Sequence, residues 1–270
     1  MLLFYTPKID FTTAQLKDML ILQAKANDVM SDAWRTSCNC TIPYYRAAVV
    51  EMFEAIGHIG FKWWKKEATN VNQTEMELID GLHFALSHEL RLTYTLQADQ
   101  EPNAVLAIDE IAQITAESLV QEQHEAFSID YVGRNASEDA YEKIEVVDGE
   151  VDITKFDMKD LLELFIHNTL GAGEPDWAVL MALFDAAGMT ADTVYEIYVN
   201  KNLLNIFRTS NGQRAGTYLK MWGGREDNEF IADYRNKAIA ENRTVDVEEL
   251  LEYLQTTYTH HVENNTAVAA

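Results

Sequence analysis

Two pairs of carboxylates stand where a buried helix ordinarily carries none. Residues 47–56 read AAVVEMFEAI, eight apolar residues of ten, interrupted only by Glu51 and Glu54. Residues 77–86 read ELIDGLHFAL and hold Glu77 and Asp80 at the same spacing of three. Residues three apart on a helix share a face, and a helix that is apolar nearly all round is expected to be buried. If the four carboxylates converged within about 6 Å, each pair would repel by roughly 3 kcal/mol at an effective dielectric of about 20. Six such pairs reach on the order of 15 kcal/mol, more than the whole stability of a typical domain. Either the four stay apart, or protons or cations neutralise them. An all-oxygen donor set favours a hard ion, Mg2+ or Mn2+, and Glu51, Glu54, Glu77 and Asp80 are the candidate ligands.

Two histidines lie beside these pairs, His58 four residues after Glu54 and His83 three after Asp80. Asp80-x-x-His83 approximates the Glu-x-x-His element of di-iron bundles, although the other helix carries Glu-x-x-x-His. A di-iron oxidoreductase is therefore one alternative. A hydrogen-bonded supporting role is the plainer expectation for both rings.

A second set of residues has the opposite sign. Residues 200–225 contain Lys201, Arg208, Arg214, Lys220 and Arg225 and no acid, interleaved with Asn200, Asn202, Asn205, Asn211 and Gln213. Such a stretch in a strongly acidic chain suits an anion that the carboxylates reach only through metal. The alternative is a solvated basic loop paired with nearby acids. A smaller island, Lys62-Trp63-Trp64-Lys65-Lys66, follows the first carboxylate helix. Cations there complement a helix dipole, while adjacent tryptophans suit base stacking beside phosphates. Together these groups describe a nucleotide-phosphate site. No GxxxxGK[ST] or GxGxxG sequence is present, so neither a P-loop nor a Rossmann enzyme is expected.

The elements that position these groups read as helices. Only 4 prolines and 12 glycines punctuate the chain. Apolar spacing predicts helices over 13–30, 43–66, 72–96 (Asn72 and Glu75 as a capping-box variant) and 102–127. Further helices are expected over 157–170, 175–187, 191–207, 228–241 and 246–258, with 208–225 a glycine-rich loop and 259–270 a frayed tail. Residues 143–155, KIEVVDGEVDITK, alternate around Asp148-Gly149 and predict a small hairpin. The expected fold class is all-α, a helical bundle with a small β-hairpin insertion, forming a single domain over 1–270.

Composition narrows the function classes. Lys+Arg total 21 against 44 Asp+Glu, a net charge of −23, which argues against nucleic-acid polymers as partners. Residues 99–163 hold 18 acids and 4 bases, net −14, so most of the imbalance sits in one central stretch. No run of roughly 18 apolar residues occurs and Met1–Asp10 lacks a signal-peptide pattern, so no membrane partner is expected. Cys38 and Cys40 are too close for an ordinary structural staple and too few for a zinc site. A reducing compartment is the expectation: the cytoplasm, or a host's cytoplasm for a viral chain.

Leu22-Gln23 with Asn27, the Glu51/Glu54 helix followed by FKWWKK, the ELIDGLHF segment, and KNLLNIFRTSNGQRAGTYLKMWGGREDN (Lys201–Asn228) together resemble the all-α dimeric dUTPases. That family is related to the dCTPase-dUTPases and, more distantly, to MazG-like pyrophosphohydrolases. The matching blocks cover roughly 20–92 and 190–230, and residues 98–165 read as an acidic insertion. The resemblance implies Mg2+-dependent hydrolysis of dUTP to dUMP and pyrophosphate by a metal-activated water, with dUDP also a substrate, in a homodimer. It implies that Glu51, Glu54, Glu77 and Asp80 are metal ligands and that Glu51 orients the water. Gln23, Asn27 and Asn202 would face base and sugar, and Trp64 would wall the base pocket. Lys62, Lys201, Asn205, Arg208, Tyr218 and Lys220 would face the phosphates or line the pocket, with Arg208 and Lys220 closing from a loop. A preference for dCTP or another pyrimidine nucleotide remains open, as does an acidic, non-catalytic binding protein.

Overall fold

In the computed structural model, residues 3–62, 64–65, 68–100, 107–129, 146–147, 150–151, 158–241, 243 and 247–268 are described. Two compact units divide the chain, Met1–Tyr195 and Glu196–Ala270; the sequence predicts one domain over 1–270. Helices dominate both, as the periodicity predicts.

The first unit is built around α1 (Thr13–Met30), α2 (Tyr44–His58), α3 (Val71–Gln100) and α4 (Ile108–Glu122). Thr12 opens α1 through a capping box: its hydroxyl accepts from the Gln15 amide, and the Gln15 side chain accepts from the Thr12 amide. Leu16, Met19, Leu20, Gln23, Ala24 and Asn27 form the buried stripe of α1, so two amides lie on an otherwise apolar face. The 30-residue α3 packs against α1, α2 and α4, and α2 also packs against α5 (Met158–Ala172). Helix α6 (Trp177–Ala186) starts at Asp176, whose carboxylate accepts from the Val179 amide at 3.0 Å.

Gly81 faces α2, where a Cβ would lie 2.2 Å from the terminal methyl of Met52, which would have to swing aside, and 3.9 Å from the Ala48 carbonyl oxygen. Helix α7 spans Ala191–Ser210. The second unit adds α8 (Asp227–Ala240) and α9 (Val247–Val268) around a core that includes Phe207, Trp222, Phe230, Leu254 and Tyr258.

Three antiparallel ladders of two strands each complete the described structure. β1 (Leu3–Tyr5) pairs with β2 (Phe127–Ile129). β3 (Val146–Val147) pairs with β4 (Glu150–Val151), opposing Val147 to Glu150 as the predicted hairpin requires. β5 (Met221–Trp222) pairs with β6 (Arg225–Glu226) through Gly223 and Gly224, both at positive φ (60° and 87°). Two successive positive φ values define the tight primed turn that suits twisted strands and favours glycine at both positions.

Several boundaries differ from expectation. Helix α2 stops at His58, so Lys62, Trp64 and Lys65 lie in a connection rather than a helix, and Trp63 and Lys66 lie outside the described residues. Asn70, not Asn72, caps α3, accepting from the Gln73 amide at 3.2 Å. Helix α4 starts at Ile108 and ends at Glu122 rather than Phe127, and the expected start at Pro102 lies outside the described residues. Helix α7 extends to Ser210, taking Arg208 out of the predicted loop. The predicted fray after Tyr258 is instead helix as far as Val268. Cys38 and Cys40 are joined by a disulfide, where sequence spacing argued against a staple. Their loop is tied down by Arg91, which donates to the Ile42 carbonyl and to the Asn39 side chain. No single helix among the described residues is long and apolar enough to cross a membrane.

Candidate active site

Glu51 of α2 meets Glu77 and Asp80 of α3, and one carboxylate oxygen from each lies within 4.8 Å of the others. Glu77 is buried, and Glu51 and Asp80 are half-buried. On α3 the spacing of three brings both acids to the cluster, whereas on α2 only Glu51 joins it. Ala48, Met52 and Ala55 form the buried side of α2, and Glu51 lies beside them. Glu54 is exposed, together with Val50 (51%) and Phe53 (57%). The expectation that α2 is buried all round is thus corrected: its composition is apolar but one face meets solvent.

The electrostatics of the trio are those of crowded acids. Burial pushes the Glu51 carboxyl up to about 8, and the charges of Asp80, Glu54 and Glu77 and a hydrogen bond with Glu77 push the same way. Without a cation, Glu51 therefore keeps its proton at neutral pH and shares it with Glu77. Glu77 is also met by His58 Nε2 at 3.4 Å. His58 thus lies beside one carboxylate of the trio.

Gln23, Asn27, His83 and Ser87 form a buried polar network between α1 and α3. His83 Nδ1 and Gln23 Oε1 are 2.8 Å apart. Gln23 Nε2 donates to Ser87 Oγ at 2.8 Å and to Asn27 Oδ1 at 3.1 Å. Ser87 Oγ donates to the His83 carbonyl at 2.8 Å. Asn27 Nδ2 is left as a buried donor with no hydrogen-bond partner among the described residues. Burying such a donor unpaired costs about 1–3 kcal/mol, which a ligand carbonyl would recover. Trp64 is 58% exposed and packs edge-on against Phe61 at 6.1 Å, while Lys62 lies over the Phe61 ring.

The second unit holds the basic stretch, and its cations are mostly engaged. Arg208, buried near the end of α7, donates to both oxygens of the fully buried Asp227, each at 2.7 Å. It also donates to Asn228 Oδ1 at 3.0 Å and to Asn205 Oδ1 at 3.3 Å. Lys201 Nζ reaches Asn228 Oδ1 at 3.3 Å. The Tyr218 hydroxyl donates to Asp227 Oδ2 at 2.7 Å; burial, then this bond, holds the phenol well above its usual range. Lys220 is exposed and pairs with Glu226 at 3.2 Å. The picture of Arg208 as a cation on a flexible loop is therefore corrected, because a bidentate buried ion pair fixes it. Asn202 is fully buried beside Tyr198. Asp227 and Asn228 are not among the residues the sequence singles out, although they follow directly on the basic stretch.

A helical chain whose two adjacent helices bring three carboxylates together, and which carries a separate basic, amide-rich segment, has the equipment of a helical hydrolase of anionic substrates. Residues 15–213 match the family model described as dUTPase, and the chain belongs to that family. Its activity is that of a dUTP diphosphatase, with dUTP the small-molecule substrate. No curated protein matches the chain.

Proposed function

We propose that this chain hydrolyses dUTP to dUMP and pyrophosphate, and dUDP to dUMP and phosphate, in a Mg2+-dependent reaction for which Mn2+ substitutes. The convergence of Glu51, Glu77 and Asp80 carries the reading. The donor set fits a hard divalent ion: three carboxylates from adjacent helices, with His58 Nε2 3.4 Å from Glu77 and a proton held on Glu51 by burial and by its acidic neighbours. Glu51, Glu77 and Asp80 would hold the ion, with Glu54 contributing from the exposed rim. The ion would supply neutralisation of the phosphates and a lowered pKa for the attacking water. Glu51 accepts that water's proton on a carboxylate oxygen as the water oxygen bonds phosphorus and the bond to pyrophosphate breaks. His58 steadies Glu77.

Asn27 Nδ2 is the donor offered to a ring carbonyl, and Gln23, with both amide hydrogens engaged, fixes the orientation of Asn27. Trp64 would wall the base, and Asn202, in the second unit, would face base or sugar. Lys62, Lys201, Asn205, Arg208, Tyr218 and Lys220 receive the phosphates. The exposed Val50 and Phe53 support a homodimer, because apolar side chains of this exposure favour burial against a second copy.

Pyrophosphate release from dUTP, dCTP, dTTP, dATP and dGTP, with Mg2+, Mn2+ or chelator, tests the substrate and the ion together. The expected result is fast hydrolysis of dUTP alone, lost in chelator. A dCTP rate equal to or above that of dUTP, or full activity in chelator, would overturn the reading.

A further inference from the structure

Arg208, Tyr218 and Lys220 come from three places in the second unit: the end of α7, the loop after it, and the entry to β5. One residue connects all three. Asp227 Oδ2 accepts from Arg208 Nε and from the Tyr218 hydroxyl, and Oδ1 accepts from Arg208 Nη2, each at 2.7 Å. The Asn228 amide adds a fourth bond to Oδ1 at 2.9 Å, which uses the acceptor capacity of a carboxylate in full. The backbone amide of Asp227 donates to the Lys220 carbonyl at 3.1 Å. Tyr218 is further held by stacking on Tyr258, with ring centroids 5.1 Å apart.

We propose that Asp227 is a positioning residue for substrate binding, holding the Arg208 guanidinium, the Tyr218 phenol and the Lys220 main chain in one arrangement for the incoming phosphates. The proposal rests on the reading that these three residues face the nucleotide. Asp227 touches no substrate. It acts by fixing the plane of a guanidinium that would otherwise sample many rotamers, so binding loses less side-chain freedom. Its hydrogen bond also commits the Tyr218 proton inward, so that Tyr218 presents its ring and oxygen rather than a donor.

Steady-state kinetics with dUTP, alongside thermal melting, test this in Asp227→Asn, Asp227→Glu and Arg208→Lys. Asparagine keeps the shape but loses one acceptor, and glutamate keeps the charge but displaces it by one methylene. Both Asp227 variants are expected to raise KM about tenfold with kcat changed less than about threefold, because the lost interaction is made in the ground state and the transition state alike. Arg208→Lys is expected to raise KM similarly, and adding Asp227→Asn to it should raise KM little further. A purely structural Asp227 predicts a lower melting temperature at unchanged KM, and that result overturns the proposal. So does a loss of folding in both Asp227 variants while Arg208→Lys folds. An unchanged KM in Arg208→Lys would sink the phosphate reading itself, and the proposal with it; a raised KM there with unaffected Asp227 variants rejects the positioning role alone.

Discussion

Glu51 is the residue on which protonation, cation binding and turnover converge. Its carboxyl keeps a proton up to about pH 8 in the metal-free fold, against an ordinary value near 4.5. Between those values the unfolded chain has released a proton that the folded chain retains, so stability falls as pH rises through that window. Glu89 of α3, also pushed up to about 8 by burial and by Glu122 and Glu174, adds a slope of the same sign. In chelator, the melting temperature is expected to fall from pH 5.5 to pH 8. A flat or rising profile would contradict the crowded-acid picture. A cation competes with the Glu51 proton, so the rise in melting temperature on adding Mg2+ should be larger at pH 8 than at pH 6. Glu51→Gln should abolish that difference, leave the contribution of Glu89, and lower kcat by about 10²–10⁴-fold, the range for losing a positioned base. Glu77→Gln should raise the melting temperature in chelator by removing one of the mutually repelling charges; a clear drop would argue against convergence.

At the scale of elements, the site is a consequence of how closely α2 and α3 approach. At their contact Gly81 leaves room for the Met52 methyl, and a longer gap between the helices would separate Glu51 from Glu77 and Asp80. Gly81→Val is expected to cost about 1–3 kcal/mol through overpacking and to lower kcat/KM by at least about tenfold, since small misplacements are costly in catalysis. Urea unfolding and pyrophosphate release check the two parts, and wild-type activity in a destabilised variant would show that Gly81 spaces the helices without tuning the site. Local patterns made much of this legible. The i,i+3 spacing identified both acidic faces, and the alternation around Asp148-Gly149 identified the β3–β4 hairpin. Spacing did not say which of Glu51 and Glu54 turns toward α3, because eight apolar residues of ten hide the difference between a buried and an exposed face. It also did not show that Arg208 is paired, because Asp227 lies 19 residues further on and the two meet only through tertiary packing. The β1–β2 ladder was invisible for the same reason, joining segments more than 120 residues apart.

For the whole molecule, the sign of the net charge and the sign of the substrate agree, and local structure has to overcome the repulsion. With −23 on the chain, self-repulsion weakens the folded state and is screened over a Debye length of about 10 Å at 0.1 M salt. The metal-free protein should therefore melt several degrees higher in 0.5 M than in 0.02 M NaCl at pH 7.5. A melting temperature insensitive to salt would mean that the acidic surface is already neutralised by its own ion pairs. The buried Arg208–Asp227 pair should be indifferent to salt, and truncating it with Asp227→Ala should cost about 3–5 kcal/mol by leaving the guanidinium unpaired.

The first few residues have a consequence for handling the protein. Tyr5 is almost fully buried, its hydroxyl donates to Asp185 at 2.8 Å, and its ring meets Phe127. Its strand is the ladder partner of Phe127–Ile129. Trimming the chain before residue 6 would strip that cover and leave β2 as a bare edge, the kind of edge through which chains join one another and precipitate. A shortened form would thus fail first in solubility on storage, with its catalytic groups untouched.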